Sequence, residues 1–280
     1  MTISSETEAE TAPVRRSRWW LESLLLLWLA WVYDLINGLT PLRRVAPYQH
    51  AKSVLRLERL LHLDPETFLN RWMVAHHTIG WLSATFYNTA HYLVTFTLVA
   101  FLWWRRPDVY RPLRTALALT NVIGLVVFLC YPMAPPRLTP GGGFVDIVVA
   151  SHTVTWHTGT LEAAANELAA MPSLHISWAI WSALAFRAMF KQHRWSHVAW
   201  LHPIATAVAV LGTGNHFLAD VIAGALVLVV ATVASNLWYR YEPLAMVPRP
   251  AWYLKMEQKR LSKATGAMPR RAALLSSRPR

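Results

Sequence analysis

Apolar residues come in runs of near-bilayer length along most of this chain, separated by short polar breaks. Six runs are predicted to form helical spans, at about residues 19–37, 85–104, 114–132, 173–190, 197–214 and 216–238. A helix needs about 20 predominantly apolar residues to cross the hydrocarbon core, and these runs approach that length. The second, YNTAHYLVTFTLVAFLWW, opens on polar residues, and the fifth, VAWLHPIATAVAVLGTG, contains Pro203, which is predicted to kink it. The segment between the first two spans has another pattern. AKSVLRLERLLHL reads as an amphipathic helix with Val54, Leu57 and Leu61 on one stripe and Arg56 and Arg59 off it. Asp64-Pro65-Glu66 then supplies an N-cap, a first-turn proline and an acid that suits a helix N-terminus. Both helices are expected along the membrane surface or plugging the bundle.

The predicted fold is therefore all-α: a polytopic six-helix transmembrane bundle with amphipathic helices and an outer loop over its polar end. Residues 19–240 form the membrane domain. A polar, disordered N-terminus covers 1–18, and a basic tail covers 241–280. No small-residue cleavage site follows the first apolar run, so it is read as an uncleaved helix.

Composition supports this picture. The chain is 54% hydrophobic and only 15% charged, with 15 tryptophans, of which Trp19, Trp20, Trp103, Trp104 and Trp238 fit interfacial anchors. Its lone cysteine, Cys130, cannot form an internal disulfide and is expected to be a buried thiol. The net charge of +12 does not point to nucleic acid, because the basic residues sit beside the apolar runs and in the tail. With the N-terminus inside, 20 basic residues fall on the inner side against 7 outside, or 13 against 7 without those beyond Lys255. Both termini are thus expected in the cytoplasm.

That topology brings three polar clusters to the outer surface. In GTGNHFLADVIAG, residues 212–224, His216 and Asp220 share a helix face, about 5–6 Å apart. A carboxylate holding one imidazole nitrogen makes the other a better nucleophile or base. Intramembrane Asp–His pairs are functional candidates by default, a structural pair within the bundle being the alternative. Gly224 extends the same face and permits close helix packing. In YPMAPPRL, residues 131–138, Arg137 follows two prolines on stiff backbone, placed to clamp an anion. In MPSLHISWAIW, residues 171–181, Ser173 suits an N-cap, and His175 stands in the first turn beside amides that attract anions.

In this order, APPR, then MPSLH, then NHFLAD with Gly224, the chain resembles the type 2 phosphatidic acid phosphatase (PAP2) superfamily over about residues 30–240. MPSLH stands where typical lipid phosphatases have PSGH, so the branch it most resembles is that of the fungal inositol phosphorylceramide synthase. LRLERLLHLDPE and YNTAHYLVTF also look like bacterial members, so the resemblance implies a bacterial cell membrane. The two histidines of the paired motifs are 41 residues apart.

The resemblance implies that His216 attacks phosphorus, Asp220 orients it, and His175 protonates the leaving oxygen. Ser173 and Arg137 would bind phosphate oxygens. The chain departs from the family in carrying Val210 and Leu211 where Ser-Arg is usual, and in lacking the lysine-containing first motif. Arg137, Asn215 or a residue from 38–84 is expected to substitute. The implied activity is phosphotransfer or phosphatase chemistry on a lipid phosphate, inositolphosphotransferase-like, through a phosphohistidine. Simple hydrolysis of a lipid phosphate or prenyl diphosphate is the alternative. A non-catalytic lipid-binding or transport protein is the reading from another class, though no repeated halves support it. The implied partners are the lipid phosphate, an alcohol acceptor and membrane lipids.

Of the other histidines, His76 and His77 point to different faces, and His152 and His157 lie in a Thr/Val-rich loop. No spacing resembles a metal site, so neither metal nor cofactor is expected. His91, at the outer start of the second span, is within reach of the site, with a satisfied bundle histidine as the plainer expectation. The loop PGGGFVDIVVASHTVTWHTGTLEAAANELAA is expected to cover the pocket as an irregular or hairpin segment followed by a short helix.

Overall fold

Prolines and polar breaks start and stop the helices much as the pattern predicts. A computed structural model describes residues 18–39, 45–152 and 168–239, and among these no strand occurs. The order is α1 (Trp19–Leu39), α2 (Ala46–Leu60), α3 (Pro65–Ala75), α4 (His77–Arg105), α5 (Pro107–Cys130), α6 (Ile147–Ala150), α7 (Leu174–Met189), α8 (Leu201–Gly212) and α9 (Leu218–Tyr239). Pro65 and Pro107 each open a helix, where a missing N–H is no loss. A short 3-10 turn, Pro136–Leu138, follows α5.

Among the described residues, α5 and α9 are long and apolar enough to cross a membrane. They make the most extensive helix contact in the fold, reinforced where Ser235 Oγ donates to the Pro112 carbonyl at 2.7 Å. Helix α7 packs between α4, α5, α8 and α9. Its Trp181 is buried, with the indole N–H donating to the Leu113 carbonyl at 2.8 Å. Outward-facing Leu226, Val229, Val230 and Val233 leave α9 apolar on its exposed side as well as its packed one. A helix apolar all round belongs in a core or in lipid, and this face is uncovered.

Several expectations need correction. The second predicted span begins at His77 rather than 85, because Gly80 and Ala84 give its polar-looking start a small, packed face. The fifth is not one kinked helix: a 3-10 segment, Arg194–Trp200, precedes α8, and Pro203 sits in the first turn of α8. The 12 residues of α8 reach only about 18 Å. Cys130 is exposed, since it ends α5 on a side away from the bundle.

The largest correction concerns α2 and α3. The buried residues of α2 are Pro47, Ala51, Leu55 and Glu58, while Leu57 and Leu61 of the expected apolar stripe are 56% and 58% exposed. In α3 the buried residues are Glu66, Asn70 and Met73, and Phe68 faces out at 69% exposure. Helix α2 buries an otherwise apolar face with Glu58 in it and leaves Leu57 and Leu61 outside beside Lys52, Arg56 and Arg59, while α3 buries Glu66 and Asn70 with Met73. The exposed Phe68 and Trp72 of α3 suit lipid better than water. Asp64 precedes α3 without capping it through its side chain.

Gly224 permits the close approach of α9 to the start of α7: a Cβ there would lie 2.2 Å from the Ser173 carbonyl oxygen. The helix-propensity gain of Gly224→Ala is about 1 kcal/mol. The clash against backbone outweighs it, so this variant should lose a net of about 1–3 kcal/mol in thermal or denaturant unfolding. Unchanged or raised stability would contradict the packing.

Candidate functional site

The site is assembled by backbone at the N-terminal ends of α7 and α9. Ser173 N–H donates to the Asp220 carbonyl at 3.0 Å, tying the two helix starts together. Met133 N–H donates to the Leu168 carbonyl at 2.9 Å and Ala170 N–H to the Met133 carbonyl at 3.0 Å, so the YPMAPPR segment pairs with the residues that lead into MPSLH. Arg137 N–H donates to the Gly214 carbonyl at 2.9 Å. The three motif segments, remote in sequence, meet at one end of the bundle.

His216 lies almost fully buried at the centre. Its Nδ1 is 2.9 Å from the Ala170 carbonyl oxygen and 3.4 Å from Asp220 Oδ2. A carbonyl can only accept, so Nδ1 carries the proton and Nε2 the lone pair. The shorter contact is thus a backbone carbonyl, where the sequence pointed to the carboxylate alone. Asp220 is fully buried, and its Oδ2 also accepts from Phe217 N–H at 2.9 Å. An ionised carboxyl there would favour an imidazolium beside it.

The His175 and His216 rings are 5.6 Å apart between centroids, inclined at 61°. His175 is held from the other side by Tyr87, stacked at 4.5 Å, and by His91, edge-on at 4.3 Å. His91 is satisfied, with Nδ1 2.9 Å from the Tyr87 carbonyl, and it also packs on a candidate catalytic ring. Ser173 occupies the N-cap position of α7 but makes no side-chain cap bond; its buried Oγ has no protein hydrogen-bond partner. That hydroxyl and the first amides of α7 are the donors the arrangement offers to an anion.

Arg137 sits on the 3-10 turn with its Nε donating to Asp146 Oδ2 at 2.8 Å. Its side chain is 12% exposed, and Asp146 partly balances the charge expected to meet phosphate. Asn215 is buried and donates from Nδ2 to Thr213 Oγ1 at 2.8 Å, so part of its amide holds the turn together. Of the predicted covering loop, the glycine turn through Gly143 and the short α6 are described, while residues 153–167, with His157, lie outside the described residues.

Three buried side chains that support the site escaped the motif search. Asn70 Nδ2 donates to the Val145 and Gly212 carbonyls, each at 2.9 Å, and its Oδ1 accepts from Val145 N–H at 2.9 Å. It thereby fastens α3 to the loop after Arg137 and to the end of α8. Glu58 Oε1 accepts from Ala219 N–H at 2.7 Å, and Glu66 lies beside it. Glu66 is visible in the sequence as a first-turn acid, and what marks all three as inward is phase: 47, 51, 55 and 58 on α2, and 66, 70 and 73 on α3, each trace one helical face.

Residues 52–234 match the family model described as PAP2 superfamily. No curated protein and no solved structure matches the chain.

Losing all three Asn70 hydrogen bonds leaves buried backbone groups unpaired at about 1–3 kcal/mol each. Asn70→Leu should therefore lower the unfolding midpoint clearly in detergent and loosen the 139–146 loop to limited proteolysis. A variant as stable and as protease-resistant as the parent would contradict this role.

Proposed function

The chain belongs to the PAP2 superfamily, and from that premise we propose that it is an integral-membrane lipid-phosphate phosphotransferase or phosphatase working through a phosphohistidine at His216. Superfamily members are phosphatases and phosphotransferases, and the site carries the parts such chemistry needs. The observation that carries the reading is the pair of imidazoles 5.6 Å apart, one with its Nδ1 proton committed to a carbonyl.

In the proposed reaction His216 Nε2 attacks phosphorus and the bond from phosphorus to the leaving oxygen breaks. His175, entering protonated, gives its proton to that oxygen. Asp220 and the Ala170 carbonyl stabilise the charge that develops on His216. Water or an alcohol then attacks the phosphohistidine, its proton passes to His175, and the nitrogen–phosphorus bond breaks. Ser173, Arg137 and Asn215 are assigned to the phosphoryl oxygens, where most of the catalytic stabilisation of phosphoryl transfer arises. No step requires a metal.

The inositolphosphotransferase-like assignment rests on MPSLH and on an acceptor alcohol replacing water in the second step. The proposed six spans, extracytoplasmic site and cytoplasmic termini rest on the pattern of apolar runs and basic residues, with the 3-10 segment Arg194–Trp200 and α8 together making the fifth span. The uncovered apolar face of α9 and the exposed Phe68 and Trp72 of α3 support immersion in lipid.

With phosphatidic acid, a prenyl diphosphate and phosphatidylinositol offered in detergent with chelator, His216→Ala should abolish turnover. Full activity in that variant would refute the mechanism. His175→Ala should slow substrates with poor leaving groups far more than activated ones, because acid assistance matters most there. Equal losses on both would remove His175 as the acid. Product that forms only when an alcohol is supplied identifies a transferase, and phosphate release in water alone identifies a phosphatase.

A further inference from the structure

The LRLERLLHLDPE stretch contributes two acids that the proposed chemistry leaves unused. Glu58 on α2 is 5% exposed and Glu66 on α3 fully buried. No hydrogen bond of good geometry reaches Glu58 Oε2 or either carboxyl oxygen of Glu66. The two carboxyls are within hydrogen-bonding reach of each other. Glu58 Oε1 accepts from Ala219 N–H at 2.7 Å, and the Leu218 amide lies beside Glu66. These amides belong to the first turn of α9, immediately after His216, and the preceding one, of Phe217, is taken by Asp220.

We propose that Glu58 and Glu66 form a positioning pair, in which Glu58 grips the Ala219 amide in the first turn of α9 from outside that helix, Glu66 braces Glu58, and the direction of the His216 ring is thereby fixed. The proposal rests on the reading of His216 as nucleophile. Ala219 and Leu218 cannot bond within their own helix, because an α-helix leaves its first four N–H groups without intrahelical acceptors. An acceptor supplied from α2 and α3 anchors that turn to two further helices. The dipole of α9 favours negative charge at the same place, so the position suits carboxyls. Two buried carboxyls in contact cannot both ionise, and one proton shared between them provides the donor that the pair otherwise lacks. Burial chiefly, with Glu66 and Asp220 nearby, pushes Glu58 up to about 9, against the pull of the Ala219 amide. Burial also raises Glu66, with Asp64 adding to it. Asp64 itself is 3.9 Å from Arg59 on the exposed side.

The sign of the resulting pH dependence is fixed. The folded chain keeps a proton on Glu58 up to pH about 9, while the unfolded chain releases it above 4.5, so rising pH in that window favours unfolding. Glu58→Gln preserves the neutral form, with a carbonyl for Ala219 N–H and an amide donor for Glu66.

The test uses the full chain in detergent micelles, with activity on a lipid phosphate, the imidazole nitrogen resonances of His216, and the pH dependence of thermal unfolding. Glu58→Gln should keep kcat within about threefold and leave the His216 resonances in place, and its unfolding midpoint should fall less between pH 6 and 9 than the parent's does. Glu58→Ala should shift those resonances and lower kcat by about 100-fold, the penalty typical of a small misplacement, with KM nearly unchanged. Glu58→Ala with parental kcat and unmoved His216 resonances would overturn the proposal. So would a Gln variant as damaged as the Ala variant, which would mean that the charge itself is needed. A rise in KM alone would make the residue a substrate contact instead. If the parent turns over no lipid phosphate, the proposed function fails, while the resonances and the pH slope still decide the pair.

Discussion

The contact between the starts of α7 and α9 governs the rest of the structure. Ser173 N–H reaches the Asp220 carbonyl at 3.0 Å, the His216 ring reaches the Ala170 carbonyl at 2.9 Å, and Gly224 leaves room for both by having no side chain. These bonds join segments more than forty residues apart, and they are made largely by backbone. The relative position of His175 and His216 therefore depends on how closely two helices approach. It is not set by rotamer choice alone. The proposed nucleophile and acid, held by helix ends, are better ordered than the same residues on free loops.

Around that contact α2 and α3 bury three polar side chains. Asn70, Glu58 and Glu66 point inward from α2 and α3, while Leu57, Leu61 and Phe68 point outward. Two of these meet a backbone need: Asn70 binds the carbonyls of Val145 and Gly212, and Glu58 binds the amide of Ala219 with Glu66 beside it. Buried polar groups are tolerable only when they are satisfied this way. The outward apolar groups need no compensation where the surroundings are hydrocarbon.

Much of this was legible in the chain. The apolar runs predicted helices at nearly every place where the structure has one, and His175, His216, Asp220, Ser173 and Arg137 were singled out on residue type and spacing. What the sequence hid has physical reasons. The acceptor for His216 Nδ1 is a main-chain carbonyl at Ala170, and a carbonyl has no letter code. The stripe that Val54, Leu57 and Leu61 suggest on α2 follows the rule that leucines face a core; in the fold the phase of Ala51, Leu55 and Glu58 turns inward, and Leu57 and Leu61 lie outside beside Arg56 and Arg59. Arg137 was expected to face an anion alone, and its Asp146 partner lies in a glycine-rich loop whose path no periodicity reveals.

The central claim, that phosphorus becomes bonded to His216, is open to direct capture. A lipid phosphate labelled in its phosphoryl group is mixed with the protein, the reaction is stopped in alkali within one turnover, and the peptides are analysed. The account predicts label on the peptide carrying His216, stable to base, lost in acid, and absent from the His216→Ala chain. Turnover proceeding with no label on the protein, or with label on another residue, would contradict it.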